Sequence, residues 1–235
     1  MTMEIQIGVA KIKKYATSES GDSLEVVERP GGGVSIVLAD GQRSGKSAKR
    51  ISNMVVRKVI SLLAEGVRDG AAARAASDYL YAHRSGKVLS TLNILSVDLQ
   101  SKTMVITRNN PAPVMVGRNS EVELLDKDSV AVGIYRDTRP VITEIDLQEG
   151  QTVVLFTDGL VHAGDRIKEG MDIKQELTGL LGQELNTQEV ADGLLDRAMT
   201  LDEGRPIDDI SVVVLQVLPS NGDEVRRMSV RFPIG

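Results

Sequence analysis

Cysteine is missing altogether from these 235 residues, and so is tryptophan; histidine occurs twice and aromatic side chains make up only 3%. Without cysteine there is no disulfide framework, no thiolate-ligated zinc and no cysteine nucleophile. His83 and His162 are too few for a histidine-rich dinuclear metal site. No apolar run approaches the ~20 residues that cross a bilayer. The opening stretch, MTMEIQIGVAKIKKYA, carries charges throughout and lacks the apolar segment of a signal peptide. The expectation is a soluble cytoplasmic protein that binds no membrane. A net charge of −5 argues against a nucleic-acid binder that works by neutralising phosphates.

What is present is ordinary for a globular chain, with 41% hydrophobic and 26% charged residues. The length suits one domain, able to bury roughly 70% of its unfolded surface, with a core of Val, Ile, Leu and Ala. Runs of strand length recur at Ile5–Ile12, Val34–Ala39, Thr91–Leu99, Thr103–Arg108, Pro113–Gly117, Val141–Leu147, Thr152–Thr157 and Ile210–Leu218. Each is rich in β-branched residues and bounded by Gly, Pro, Asn or Asp. Helical spacing predicts a helix over Ser47–Glu65, where Ile51, Met54, Val55, Val59, Leu62 and Leu63 share a face. A second helix is expected over Ala71–His83, stopped by Ser85-Gly86. A later pair covers Ile173–Leu181 and Thr187–Met199, with Thr187 in the N-cap region.

Strands and helices therefore come in blocks, without the strict alternation of a parallel doubly wound sheet. The fold class expected is α+β: two antiparallel β-sheets packed face to face and flanked by helix pairs. Residues 1–219 are expected to form the domain. The tail 220–235 opens polar and ends in a stretch that fits either an edge strand or disorder.

Three aspartates stand where strands stop or start: Asp40 before Gly41, Asp158 before Gly159, and Asp208, which with Asp209 opens the last strand. Asp22, in SGDS, begins a further short strand. Any one Asp-Gly pair is explained by turn chemistry. The set is harder to dismiss, because an unpaired buried carboxylate costs several kcal/mol. Strand ends meeting at one rim would bring these carboxylates together, and clustered carboxylates call for hard divalent cations with oxygen ligands, Mg²⁺ or Mn²⁺. Two such ions roughly 3.5–4 Å apart would suit an in-line displacement at phosphorus.

The ordered series SGDS (Ser20–Ser23), LADGQRSGK (Leu38–Lys46), STLNILSVDL (Ser90–Leu99), RNNPAPVMV (Arg108–Val116), LFTDGLVHAG (Leu155–Gly164) and DDISVVVLQV (Asp208–Val217) resembles the PPM metal-dependent protein phosphatases. The likeness is to their bacterial branch, typified by SpoIIE, RsbU and RsbX, and most of all to the short RsbX-type members. It implies a serine/threonine phosphatase holding two or more Mn²⁺ or Mg²⁺ ions. Asp40 matches the metal-bridging aspartate, the Gly41 carbonyl its neighbouring ligand, and Asp158 and Asp208 the other direct ligands. Asp22 matches the acidic residue of the first motif, which reaches its metal through water. The catalytic set implied is Asp40, Asp158 and Asp208. Arg43 replaces a glycine of the usual Asp-Gly-x-Gly loop, so the loop path or the substrate contacts are expected to differ. Arg43 and neighbouring Lys46 are candidates to hold the substrate phosphate. The partner implied is a phosphorylated stress-signalling protein, of the stressosome scaffold or anti-sigma antagonist type.

Two rival readings stand beside this one. DGQRSGKS (Asp40–Ser47) has the look of a phosphate-binding loop, but Asp40 occupies the position where that pattern needs glycine. A phosphatase-fold binding module without activity is the other; the four intact acids argue against it. Leu160–Ile173, rich in glycine and charge, is expected to form a mobile flap. His162, just after Asp158, is either a surface residue or a proton donor near the site.

Overall fold

The apolar runs condense into strands and helices close to where their periodicity places them. The computed structural model describes residues 2–118, 121–220 and 222–233. The strands are β1 (Met3–Ile12), β2 (Asp22–Glu28), β3 (Val34–Asp40), β4 (Leu92–Asp98), β5 (Thr103–Asn109), β6 (Val114–Arg118), β7 (Glu121–Leu125), β8 (Val141–Asp146), β9 (Thr152–Phe156) and β10 (Ile210–Pro219). The helices are α1 (Gly45–Ala64), α2 (Asp69–Arg84), a single turn α3 (Asp158–Val161), α4 (Ile173–Leu181) and α5 (Thr187–Leu201).

Two five-stranded sheets result, in the orders β1-β10-β9-β6-β7 and β2-β3-β4-β5-β8. All neighbouring strands are antiparallel. The sheets pack through Ile36, Leu38, Leu95, Ile106, Val153, Leu155 and Val213. Helices α1 and α2 cover the outer face of the second sheet, where Val55, Val59, Leu63 and Leu80 meet Val37 and Ile94. Helices α4 and α5 cover the first, where Leu177, Val190 and Leu194 meet Val154, Phe156 and Val212. Each such side chain contributes about 1.5–3 kcal/mol on burial. The four-layer α+β architecture is the one the block pattern anticipates.

The strands that read as continuous apolar runs are those covered on both faces. Every residue of β9, TVVLF, is buried, whereas the edge strand β8 alternates between half-buried and exposed residues. Strand β7, EVELL, goes unrecognised in the sequence because it is an outer strand with exposed Glu121 and Glu123 beside buried Val122. Helix α2 ends as Ser85-Gly86 suggests, both residues having left-handed φ angles of 53° and 67°. The N-cap of α5 is Asn186, not Thr187. Its side chain accepts from the Gln188 and Glu189 amides while Glu189 reaches back to the Asn186 amide, closing a capping box. The described tail residues 222–233 form neither strand nor helix and are exposed, with Arg226 paired to Glu28 at 2.7 Å. Asn221, Ile234 and Gly235, which the tail reading also included, lie outside the described residues. Among the described residues no helix is long and apolar enough to cross a membrane.

Candidate metal centre

The site begins with a pairing that a sheet would not choose for stability. Asp22 opens β2 and Asp40 closes β3, and the antiparallel register sets them directly opposite each other. Like charges facing across strands are destabilising. Asp22 is nonetheless fully buried. One carboxylate oxygen, Oδ2, accepts from Ser211 Oγ at 2.6 Å and Thr157 Oγ1 at 3.0 Å, so β10 and the end of β9 clamp a residue of the opposite sheet. The other, Oδ1, is buried without a hydrogen-bond partner. Behind the carboxylate, the ammonium groups of Lys11 and Lys49 both donate to the Asp22 main-chain carbonyl, at 2.7 and 2.5 Å. Burial pushes the Asp22 carboxyl up to about 6, against the opposing pull of the Ser211 hydroxyl and Lys11. Burial and the neighbouring Lys49 bring Lys11 down to about 8.

Asp158 and Asp208 arrive from the other sheet. Asp158 is not at a strand end, as the run VVLFTD suggests: β9 stops at Phe156, Thr157 turns the chain, and Asp158 starts α3. Asp208 lies two residues before β10. The four carboxylates feel one another. Asp40 is pushed up to about 10 by burial first, then by the charges of Asp22 and Asp158, with Asp208 adding to them. Asp158 is also raised, by burial and then Asp208, with His162 opposing.

Two close approaches bring these segments together. A Cβ on Gly41 would stand 2.0 Å from the Ala48 carbonyl oxygen in α1, and one on Gly159 would stand 2.1 Å from the Asp209 carbonyl oxygen. Only glycine lets the Asp40 and Asp158 turns sit this close to α1 and to the start of β10. Asp209, passed over in the sequence, is a buried brace: its two oxygens accept from the Lys14 amide at 2.9 Å and the Gly21 amide at 2.8 Å. It thereby fixes the loop that delivers Asp22. The doubled Asp208-Asp209 was its sequence signal, and Lys11 inside an apolar strand was the signal for the support beneath Asp22.

The structure does not draw Arg43 into this cluster. Arg43 is exposed, and among the described residues it makes no ion pair or side-chain hydrogen bond. Its φ of 76° is the left-handed value a glycine adopts freely, so the backbone keeps a glycine-type path despite the side chain. Arg43→Gly is therefore expected to raise stability by up to about 1 kcal/mol, read as a higher melting temperature. An unchanged or lowered melting temperature would show that the side chain offsets the strain.

His162 caps α3, is half exposed and bonds Asp165 through Nδ1 at 2.9 Å. His83, in the last turn of α2, is exposed and bonds the Tyr79 carbonyl at 2.8 Å. The segment read as a flap is anchored at its start and exposed over residues 165–170. Ala163 is buried, the Gly164 amide donates to Asp202 at 3.0 Å, and residues Asp165–Ile167 form a 3-10 turn.

A divalent cation fits these residues on their chemistry. They offer hard carboxylate oxygens, one buried oxygen without a donor, and charges whose mutual repulsion a cation would cancel. Among the described residues no group of three or more His, Cys, Asp or Glu side chains stands close enough together to hold a metal ion as arranged, so the fit rests on the chemistry of the donors.

Solved structures share the architecture. The PP2C phosphatase domain of SpoIIE from Bacillus subtilis, with a fragment of its regulatory domain, has a TM-score of 0.81 at 23% identity, covering 92% of this chain and 64% of that one. The catalytic domain of the serine threonine protein phosphatase PstP in complex with two manganese ions scores 0.69 at 18%, covering 93% and 100%. RsbX in complex with magnesium scores 0.69 at 16%, covering 92% and 98%. The fold is that of the PP2C-type phosphatases, and a phosphate-loop reading of Asp40–Ser47 has no place in its antiparallel sheets. The family profile described as Stage II sporulation protein E (SpoIIE) matches residues 30–218, and the chain belongs to that family. It is 23% identical over 215 residues to the Stage II sporulation protein E of Bacillus subtilis (strain 168), which is 91% of this chain and 26% of that protein. The chain thus spans about a quarter of the length of that relative.

Proposed function

We propose that the chain is a metal-dependent protein serine/threonine phosphatase, with residues 1–219 as its phosphatase domain and 220–235 as a tail. The observation that carries this reading is the convergence of Asp22, Asp40, Asp158 and Asp208, with fully buried Asp22 and half-buried Asp40 as a cross-strand pair whose carboxyls are raised to about 6 and about 10. Such a pair is costly to fold and gains a purpose when cations are bound. Asp40, Asp158 and Asp208 would hold two or more Mn²⁺ or Mg²⁺ ions directly, with the Gly41 carbonyl beside them and Asp22 behind. Bound ions of this kind supply an activated water and offset the charge that develops on a phosphoryl group.

The chain's own residues do the rest. Ser211 and Thr157 fix the Asp22 carboxylate in one orientation, and Lys11 and Lys49 hold its backbone. Asp209 keeps the loop before Asp22 against the start of β10. Arg43, three residues after Asp40, is exposed and forms no ion pair among the described residues, which would leave it free to meet a substrate phosphate. With the aspartates engaged in holding the ions, the phosphoryl group would pass directly to water, which takes the place of a covalent enzyme nucleophile, and the serine or threonine oxygen of the substrate would leave with a proton. Membership of the SpoIIE family and a fold likeness to a structure from the bacterial stressosome support a phosphorylated stress-signalling partner, of the stressosome scaffold or anti-sigma antagonist type, and the location that goes with this reading is the cytoplasm.

The test is phosphate release from a phosphothreonine-containing protein with Mn²⁺, with Mg²⁺ and after EDTA treatment. Release should require the metal and fall at least about a hundredfold in Asp158→Asn. Undiminished turnover after EDTA or in the variant would sink the reading. Partner binding without any turnover would instead favour a phosphatase-fold binding module.

A further inference from the structure

The outer surface of the α1–α2 pair carries a groove that the proposed chemistry does not use. Arg50, Asn53, Met54, Arg57, Lys58 and Ser61 follow the spacing i, i+3, i+4, i+7, i+8, i+11, a continuous stripe along the helix outside its buried positions Ile51, Val55, Val59 and Leu63. Here it faces Tyr79 and Arg84 of α2 across a groove of about 660 Å³. Four cations line this groove and no carboxylate does. Arg50, Arg57 and Arg84 are exposed, and none of the four forms an ion pair among the described residues. Lys58 instead lies 5.6 Å from the centre of the Tyr79 ring, on which His83 also rests at 4.0 Å. In a chain with a net charge of −5, so many unpaired cations in one groove are a local reversal of sign.

We infer that the groove binds an acidic segment of a protein partner, and that it serves the phosphatase reading above as a docking site for the phosphoprotein substrate. Helix α1 begins at Gly45, four residues after Gly41 of the candidate metal centre. At 1.5 Å per residue, Arg50 lies ~8 Å and Arg57 ~18 Å along its axis from that start. An extended peptide covers this with about three to six residues. A substrate with its phosphorylated residue at the carboxylate site and Asp or Glu about three to six residues away would therefore reach the cations, with Met54 and the Tyr79 ring as an apolar floor. The acidic chain as a whole repels a polyanion such as nucleic acid, whereas a short acidic segment would feel mainly the groove.

The test separates docking from catalysis by using binding as well as turnover. A fluorescein-labelled decapeptide with six glutamates and its glutamine counterpart are titrated against the full chain by fluorescence anisotropy. The acidic peptide should bind and the neutral one should not. Arg50→Ala/Arg57→Ala/Arg84→Ala should weaken binding about tenfold, as should added salt. The same triple variant should hydrolyse p-nitrophenyl phosphate with Mn²⁺ as the wild type does. With phosphothreonine peptides, glutamates placed three to six residues from the phosphothreonine on either side should lower KM about tenfold in the wild type, and have no effect in the variant. Equal binding of the two decapeptides, or acidic binding retained by the triple variant, overturns the docking site. Tighter binding of a 20-nucleotide RNA or of phosphatidylserine vesicles, lost in the same variant, overturns the peptide as occupant. Failure of p-nitrophenyl phosphate hydrolysis in the wild type would count against the phosphatase reading alone, because the anisotropy arm stands without it.

Discussion

Asp40→Asn is expected to give a protein that is more stable without metal than the wild type and almost inert as a phosphatase. The two effects share one cause. With its carboxyl pushed up to about 10, Asp40 stays protonated in the metal-free fold at neutral pH, whereas the unfolded chain ionises it near pH 4. Folding then takes up a proton, so stability falls as pH rises from about 4 toward 10. Asp22, raised to about 6, and Asp158, raised by burial and Asp208, act with the same sign. The metal-free wild type should therefore melt lower at pH 8 than at pH 5, and the asparagine variant should show a shallower decline and a higher melting temperature at pH 8. With Mn²⁺ the order should reverse. A saturating ion at a hundred times its dissociation constant stabilises the wild type by about 2.7 kcal/mol, and the variant should gain little. Turnover should fall by about 10²–10³-fold, the scale of a single preorganised electrostatic group. Calorimetry with and without Mn²⁺ at the two pH values reads all of this. Equal metal stabilisation in both proteins would remove Asp40 from the site.

The second large effect comes from a position with no charge. Gly159→Ala would drive a methyl group to 2.1 Å from the Asp209 carbonyl oxygen and into Ile210 behind it. The closest contact is with the Asp209 main chain at the start of β10, which cannot swing aside as a flexible side-chain end would, while the Ile210 side chain at 3.1 Å closes off the space behind. The cost should be about 3 kcal/mol, or roughly 6–12 °C in melting temperature for a domain of this size. Activity should fall in the fraction that still folds, because the wedge separates Asp158 from Asp208. Gly179→Ala is the control. It lies in α4 with open space around its Cβ position and should be neutral or gain up to about 1 kcal/mol from helix propensity. Equal melting temperatures for the two variants would mean that α3 moves away from β10 without loss.

Much of the fold is legible in the sequence, for reasons that can be named strand by strand. TVVLF and the run through Ile210–Leu218 are unmistakable because layers cover them on both faces, so their residues are mostly apolar, with Ser211 a buried exception that serves Asp22. EVELL is missed because an outer strand with charged residues facing water carries half that signal. The capping box at Asn186 is misplaced by one residue because Thr187 is an equally good cap by composition. Only the geometry of the amides tells them apart.

For the candidate site, the residue types and order are local properties, and Asp22, Asp40, Asp158 and Asp208 are singled out by turns, strand ends and the ordered motifs that resemble the phosphatase family. Their juxtaposition is not local. It depends on an antiparallel register that sets Asp22 opposite Asp40, and on hydroxyls from β10 and Thr157 that reach across to the other sheet. Asp209, Lys11 and Lys49 belong to that second category. Their partners lie 188, 11 and 27 residues away along the chain, beyond any local pattern. The basic stripe on α1 is written at helical spacing in the sequence. It becomes a groove only because α2 packs beside it and contributes Tyr79 and Arg84. The sequence by itself determined which segments are apolar, where they stop and which acids stand at their ends, because burial and turn chemistry act on neighbours along the chain. Only the tertiary structure decided which of those acids share one electric field, because charge acts through space and the fold alone sets the distances.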